Sequence, residues 1–126
     1  MNLLGIESSS RKLSVGLMKE DSFSELHSEK INDTANSLPI LSKKIINNAS
    51  LNFENLDAIC ISSGPGSFTG LRVGMSYAKG IAMALDLPIV PVSTFDSLAY
   101  KNTSEKLSTL IYSHGKTFYI CEYSID

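Results

Sequence analysis

Cysteine and histidine are scarce in this sequence, with two of each among 126 residues. Cys60 and Cys121 each sit inside an apolar run, with no CxxC and no metal-ligand spacing. That excludes a cysteine-based zinc module and a dense disulfide scaffold. It fits reduced, buried thiols in a cytosolic, cytoplasmic protein. His27 and His114 have no carboxylate or cysteine at ligand spacing, so no metal site is expected. Long apolar runs are missing as well; none approaches the ~18 residues that span a bilayer. Residues 1–7 carry no basic leader and reach an acid early, so no secretory signal is expected. Nor is there an excess of positive charge. The formal charge is −2 and the pI lies near 5.6. Holding nucleic acid by bulk electrostatics needs the opposite balance. Internal repeats and low-complexity segments are absent.

What is present suits one globular domain. Hydrophobic residues make up 43% and charged residues 19%, the balance of a folded chain and not of a disordered one. A short apolar run at residues 3–8 reads as a strand. Leu13, Val15 and Leu17 alternate with Ser14, Gly16 and Met18, the period of a half-buried strand. A third strand over residues 23–30 would complete an antiparallel meander. Residues 36–49 read as a helix, with Ala35, Leu38, Leu41, Ile45 and Ala49 on one stripe. Pro39 must then lie in its first turn or kink it. Residues 57–62 form a continuous apolar run, as in a strand covered on both faces. A glycine-rich loop and a long helix to about residue 86 follow. Residues 87–92 read as a short strand, Ser93–Thr94 as a helix cap, and residues 107–112 and 117–123 as a hairpin. The order is β-β-β-α-β-α-β-α and then β-β, which implies a mixed sheet with helices on its faces. Two strands without a helix are weak alone, so the hairpin must dock on something.

The loop at residues 63–70 runs from a buried strand into a helix. Helix N-termini bind anions through free N–H groups and the dipole, so phosphate binding is one reading. A tight turn with glycine at positive φ is the other. The spacing matches neither a P-loop, since Leu71-Arg72 follows Gly70, nor the dinucleotide fingerprint, which would need glycine at Thr69. Glu7, at a strand end beside Ser8, Ser9 and Ser10, can hold a metal–phosphate or position a water, or simply end a strand. The candidate nucleotide contacts are Glu7, Ser9, Gly64 and Gly66. The helix beyond the loop carries a ridge of small residues, Gly70, Gly74, Ala78 and Ala82. Val73, Tyr77, Ile81 and Leu85 form a bulky ridge beside it. The apolar arc covers about 200°, twice what one buried face requires. The extra cover is either the chain's own helix of residues 36–49 or a helix of another protein.

The run Gly64-Pro-Gly-Ser-Phe-Thr-Gly-Leu-Arg-Val-Gly74 resembles the TsaB (YeaZ) family of the bacterial machinery that makes N6-threonylcarbamoyladenosine in tRNA. The opening Leu4-Gly-Ile-Glu-Ser-Ser9, the strand Ser14-Val-Gly-Leu17, Thr34 with Leu38-Pro39, Leu56-Asp-Ala58 and the stretch from Leu87 to Thr94 add to it. The resemblance covers residues 3–100 in order. It implies the actin-like ATPase (ASKHA, ribonuclease H-like) fold, with residues 1–106 as a first lobe and residues 107–126 as the opening hairpin of an incomplete second lobe. It implies a non-catalytic subunit that pairs with a TsaD-like enzyme through first-lobe helices, and with a TsaE-like ATPase. ATP and metal would then be held by those partners, and tRNA met only through the complex. The expected interface residues are Gly70, Val73, Gly74, Tyr77, Ala78 and Ile81. A bulky charge at Gly74 or Ala78 should abolish the complex and leave the monomer folded. TsaD-like proteins carry two metal-binding histidines four apart on the first helix; residues 32–48 here have none. Relatives also carry Asp-Ala-Arg where this chain has Tyr112-Ser113-His114.

Three functions follow. The first is the scaffold subunit, which could also pair with itself as a homodimer through the residue 69–86 helix. The second is a nucleotide-binding, phosphotransferase-like enzyme of the same fold, whose cleft would need a full second lobe. The third is a metallopeptidase, for which no ligand set is visible.

Overall fold

The structure, a computed structural model, describes residues 1–125. Strands β1 (Asn2–Glu7), β2 (Ser14–Lys19) and β3 (Ser22–His27) form the antiparallel meander. Helix α1 (Thr34–Asn48), a short 3-10 turn (Phe53–Asn55) and β4 (Ala58–Ser62) follow. Helix α2 (Phe68–Leu85), β5 (Ile89–Val92) and α3 (Thr94–Ala99) complete the alternating part. A five-stranded sheet results, in the order β3-β2-β1-β4-β5, with β4 and β5 parallel to β1. Strands β6 (Lys106–His114) and β7 (Thr117–Ser124) form a separate antiparallel pair.

The core sits between one face of the large sheet and two helices. The register aligns Leu4 with Leu17 and Ile59, and Ile6 with Val15 and Ile61. These six side chains are buried under Leu38, Ile45 and Ile46 of α1 and Ala78 and Ala82 of α2. Helices α1 and α2 therefore cover the same face, and α3 reaches the opposite one, where Ser97 joins the lining. The opposite face is left as a cleft of about 220 Å³ floored by Gly5 and Gly16, with Phe23, Cys60 and Val92 among its walls. Cys60 is thus half-buried and not fully buried, and burial still pushes its thiol pKa up. Cys121 is half-buried on the other sheet, and both thiols are free.

Helix α1 begins two residues before the expected start, which places Pro39 in its second turn and not its first. Asp33 explains the early start. Its carbonyl accepts the Ser37 N–H at 2.9 Å, and its carboxylate accepts Asn36 Nδ2 and Ser37 Oγ. Those two bonds, with Lys30 adding a smaller effect, hold the Asp33 carboxyl below its ordinary pKa. The bond that Pro39 cannot donate would have gone to the carbonyl of Ala35, an exposed residue. Ala35 is exposed, while Ser42 and Ile46 are buried, so the inward stripe is rotated from the expected one. Strand β3 ends at His27, three residues short of the expected end. It is an edge strand with Leu26 its one half-buried side chain, hence its weak alternation. His27 lies 3.5 Å from Glu25, both exposed.

The hairpin docks on α3. Thr109 is buried, Leu107, Ile111 and Cys121 are half-buried, and the Tyr123 hydroxyl donates to Asp96 Oδ1 at 2.6 Å. The Asp96 hydrogen bond raises the Tyr123 pKa well above its ordinary value, and burial raises that of Tyr77. A group with a raised folded-state pKa contributes stability below its unfolded value, near pH 10, and loses it as pH climbs through the folded value. Absorbance titration is therefore expected to find Tyr77 and Tyr123 ionising late. Asp96→Asn should lower the Tyr123 pKa toward its ordinary value; an unchanged titration would contradict the bond.

Candidate functional site

The glycine-rich loop is shaped by the connection between β1 and β2. The Ser67 N–H donates to the Ser9 carbonyl at 2.6 Å, and the Ser8 N–H to Ser62 Oγ at 3.1 Å. Gly64 has φ +104°, a conformation that side chains rarely adopt. Its peptide bond to Pro65 is cis. Its carbonyl accepts the Thr94 N–H at 2.9 Å, which ties the loop to α3. Three further glycines answer to close approach. A Cβ on Gly66 would collide with the Ser9 carbonyl oxygen, one on Gly70 with the Ser8 carbonyl oxygen, and one on Gly74 with Ser8 Oγ. The loop and the start of α2 are thus laid directly on residues 8–9.

This contact decides the orientation of α2. Gly70, Gly74, Ala78 and Ala82 are its buried residues. They face the sheet because only small side chains let the helix approach it closely. The expectation that Gly70, Gly74 and Ala78 meet a partner is corrected here, since they lie inside this chain's own fold. A charge at Gly74 or Ala78 would disrupt the monomer and not the complex alone. Val73, Tyr77 and Ile81 are half-buried and remain partly accessible. Tyr77 leans toward Ser42 of α1, which draws its raised pKa back slightly. The Ser42 hydroxyl itself makes no bond of good geometry. Helix α1 therefore supplies part of the second cover that the wide apolar arc of α2 demands. Phe68 and Met83 stay largely exposed on α2, and Ile40 on α1.

At its N-terminus α2 is capped by Ser67, whose Oγ accepts the Gly70 N–H at 3.2 Å. Two adjoining cavities open there. One of about 340 Å³ is lined by Ser10, Arg11, Asn32, Thr34, Thr69 and Val73 among others. The second, about 540 Å³, lies between this end of the lobe and the hairpin, with Ser9, Arg11, Gly66, Phe68, Tyr112 and Tyr119 in its wall. Of the candidate nucleotide contacts, Ser9 and Gly66 therefore share one cavity. Glu7 turns elsewhere: its Oε1 accepts the Ser9 N–H at 2.6 Å, and it lines the cleft on the open sheet face. Gly64 sits on the α3 side of the loop. Arg11 and Asn32 are joined by a backbone bond, Asn32 N–H to the Arg11 carbonyl at 2.9 Å. Neither stood out in the sequence, because nothing local marks two loops that meet only after folding. No group of three His, Cys, Asp or Glu that could hold a metal occurs among the described residues. No helix among them is long and apolar enough to cross a membrane.

One orphan supports the close-packed junction. Ser8 Oγ is buried beneath Gly74 without a hydrogen-bond partner. Ser8→Ala is expected to stabilise the chain by about 1 kcal/mol, because an unmade buried hydrogen bond is removed. A loss of similar size in urea denaturation would show that the hydroxyl is satisfied in solution.

A three-strand meander continued by parallel strands, with two helices on one face and a glycine loop leading into the second, defines an α/β lobe of the actin-like ATPase class. The family model described as "TsaD: tRNA N6-adenosine threonylcarbamoyltransferase" matches residues 23–125. Two proteins named tRNA threonylcarbamoyladenosine biosynthesis protein TsaB are similar to this chain. That of Haemophilus influenzae is 33% identical over 100 residues, 79% of this chain and 42% of the relative. That of Bacillus subtilis is 33% identical over 101 residues, 79% of this chain and 44% of the relative. A solved structure titled "YeaZ from Pseudomonas aeruginosa" superposes with a TM-score of 0.88 at 26% identity, over 99% of this chain and 61% of that one. The chain belongs to the TsaB (YeaZ) family within this threonylcarbamoyltransferase group. It spans about half the length of the curated relatives it matches.

Proposed function

We propose that this chain acts in N6-threonylcarbamoyladenosine modification of tRNA, as a non-catalytic subunit that binds a TsaD-like catalytic partner. The observation that carries this reading is the paired helix surface. Val73, Tyr77 and Ile81 of α2 are half-buried and partly accessible, and Phe68 and Met83 of the same helix and Ile40 of α1 are largely exposed. On this reading the threonylcarbamoyl transfer belongs to the partner, a TsaE-like ATPase joins the complex, and ATP and metal sit on those subunits. Residues 1–106 act as the first lobe and residues 107–126 as the start of a second.

Co-expression with the TsaD-like protein of the same organism, read by native mass spectrometry, tests it. A one-to-one complex is expected, and Val73→Glu should remove it while the circular dichroism of the chain stays unchanged. A complex that tolerates Val73→Glu would sink the interface, and no complex at all would sink the function.

A second reading, nucleotide binding, rests on the cavity of about 540 Å³ that joins Arg11, Ser9 and Gly66 to the aromatic Phe68, Tyr112 and Tyr119. Calorimetry with ATP separates the two. Heat saturating at sub-millimolar nucleotide supports it, and Arg11→Ala should then weaken binding; no heat ends it.

A further inference from the structure

Helices α1 and α2 carry no acidic side chain. Their charged residues are Lys43 and Lys44 on α1 and Arg72 and Lys79 on α2, all exposed. An even spread of the chain's 13 acids would place about three on helices of 15 and 18 residues. These cations have no internal duty. Among the described residues the one ion pair is His27 with Glu25, so none of them meets a carboxylate. Neither helix has a basic residue in its last turn, so none serves a helix dipole. Pairing along a helix needs an acid one turn away, and there is none.

The two helices form one surface. Thr34 and Ala35 at the start of α1 share a cavity with Thr69 and Gly70 at the start of α2, and both helices lie on one face of the sheet. Apolar side chains stand among the cations: Ile40, Phe68 and Met83 are 67%, 71% and 85% exposed. Acids stand at the margins. Asp33 and Asp86 occupy cap positions, Glu54 follows α1, and Glu29 lies in a groove with Lys30, Ile40 and Lys44. Cations stand there too: Arg11 lines the cavity at the helix starts, and Lys19 Nζ donates to the Ala49 carbonyl at 2.8 Å. The margins are thus mixed in sign, and the centre is cationic. The Arg72 guanidinium lies 5.0 Å from the centre of the Phe68 ring. Stacking of that kind orients the guanidinium plane and leaves its N–H edge for a carboxylate.

We propose that the surface meeting this helix pair is acidic. The proposal rests on the partner reading above: the TsaD-like protein presents carboxylates to Lys43, Lys44, Arg72 and Lys79 around an apolar centre, one of them held by both arms of Arg72. The exposed apolar side chains choose a protein over a nucleic acid. A phosphate backbone would neutralise the cations and leave Ile40, Phe68 and Met83 without a counterpart. A protein interface sets a polar, charged rim around an apolar core. Rim charges steer the encounter and act on the association rate, whereas a desolvated bidentate contact acts on dissociation.

The test is the association kinetics with the purified TsaD-like protein of the same organism, followed by biolayer interferometry. Raising NaCl from about 50 to 500 mM shortens the Debye length about threefold and should slow association about tenfold. At the lower salt, Lys43→Glu with Lys44→Glu and, independently, Lys79→Glu should each slow association at least about threefold. Arg72→Lys keeps the charge and loses the fork; it should speed dissociation at least about threefold and leave association unchanged. Lys116→Glu on the hairpin is the control and should change neither rate. All these side chains are exposed, so circular dichroism should not change. A complex whose association ignores salt and both reversals overturns the acidic surface and leaves the partner reading standing. Reversals that spare the complex but weaken its binding of tRNA assign the cations to phosphate and overturn the proposal as well. Unchanged dissociation of Arg72→Lys overturns the bidentate contact. No complex at any salt overturns the partner reading and this proposal with it.

Discussion

Gly74→Ala is expected to destabilise the chain by about 2 kcal/mol, although alanine is the better helix former. Alanine in a helix interior gains about 1 kcal/mol over glycine. At this position the added Cβ would strike Ser8 Oγ and stand 3.1 Å from Ile61 Cδ1. Overpacking of that kind costs about 1–3 kcal/mol, and here more because the obstacle is held on both sides. Ser8 is pinned by its own N–H to Ser62, and Ile61 is interior sheet. Gly80→Ala, on the same helix, is the control: nothing lies within 4 Å of its would-be Cβ. It should gain about 0.5–1 kcal/mol. Urea denaturation of both variants therefore separates them by about 3 kcal/mol, the sum of these two opposing effects. Ser8→Ala should recover part of the Gly74→Ala loss, a coupling that a double-mutant cycle reads directly. Equal stability of the two glycine variants would mean that α2 does not lie on residues 8–9 as described.

Ile59→Ala is expected to lose about 4 kcal/mol, within the range for truncating a buried aliphatic side chain. Ile59 is fully buried. It sits in β4, paired with β1 on one side and β5 on the other, beneath the helices. A strand held on both edges cannot move into the space left behind, so the cavity term is close to its full value. Against a total of about 5–15 kcal/mol for a domain, the variant would be marginal. Far-UV circular dichroism in urea should show its midpoint sharply lowered. Ile40→Ala, on the exposed face of α1, should change stability by less than about 0.5 kcal/mol. Similar losses at both sites would contradict the assignment of the core.

Much of the fold was legible because its signals are local. The alternation through Leu13, Val15 and Leu17 marked β2, and the apolar run over residues 57–62 marked a central strand. The loop from Gly64 to Gly74 marked both the strand-to-helix turn and the family. What was illegible is what only distance in the chain creates. Gly74 reads as one of a row of small residues suited to any helix partner. Only the folded chain reveals that residue 8 is that partner. The cover for the bulky ridge was left open between this chain's helix and another's; α1 takes part of it, through the inward Ser42 and Ile46. Arg11 and Asn32 were silent for the same reason, since their shared cavity is made by three loops. Pro39 misled because proline is judged against a helix start, and Asp33 moves that start upstream.

The parallel pairing of β1 with β4 has a consequence for how the molecule comes into being. Strand β1 lies at the centre of the sheet, and its second neighbour, β4, is synthesised more than fifty residues after it. Until Ser62 has emerged, Leu4 and Ile6 have a half-formed site, and the meander must wait with its central strand open on one edge. Closing so long a loop before the contacts reward it slows folding. The nascent chain therefore passes through an interval with an unpaired, apolar strand edge, the state most open to wrong pairing. That edge is closed when β4 pairs with β1, and the same strand leads into the helix that lies on residues 8–9.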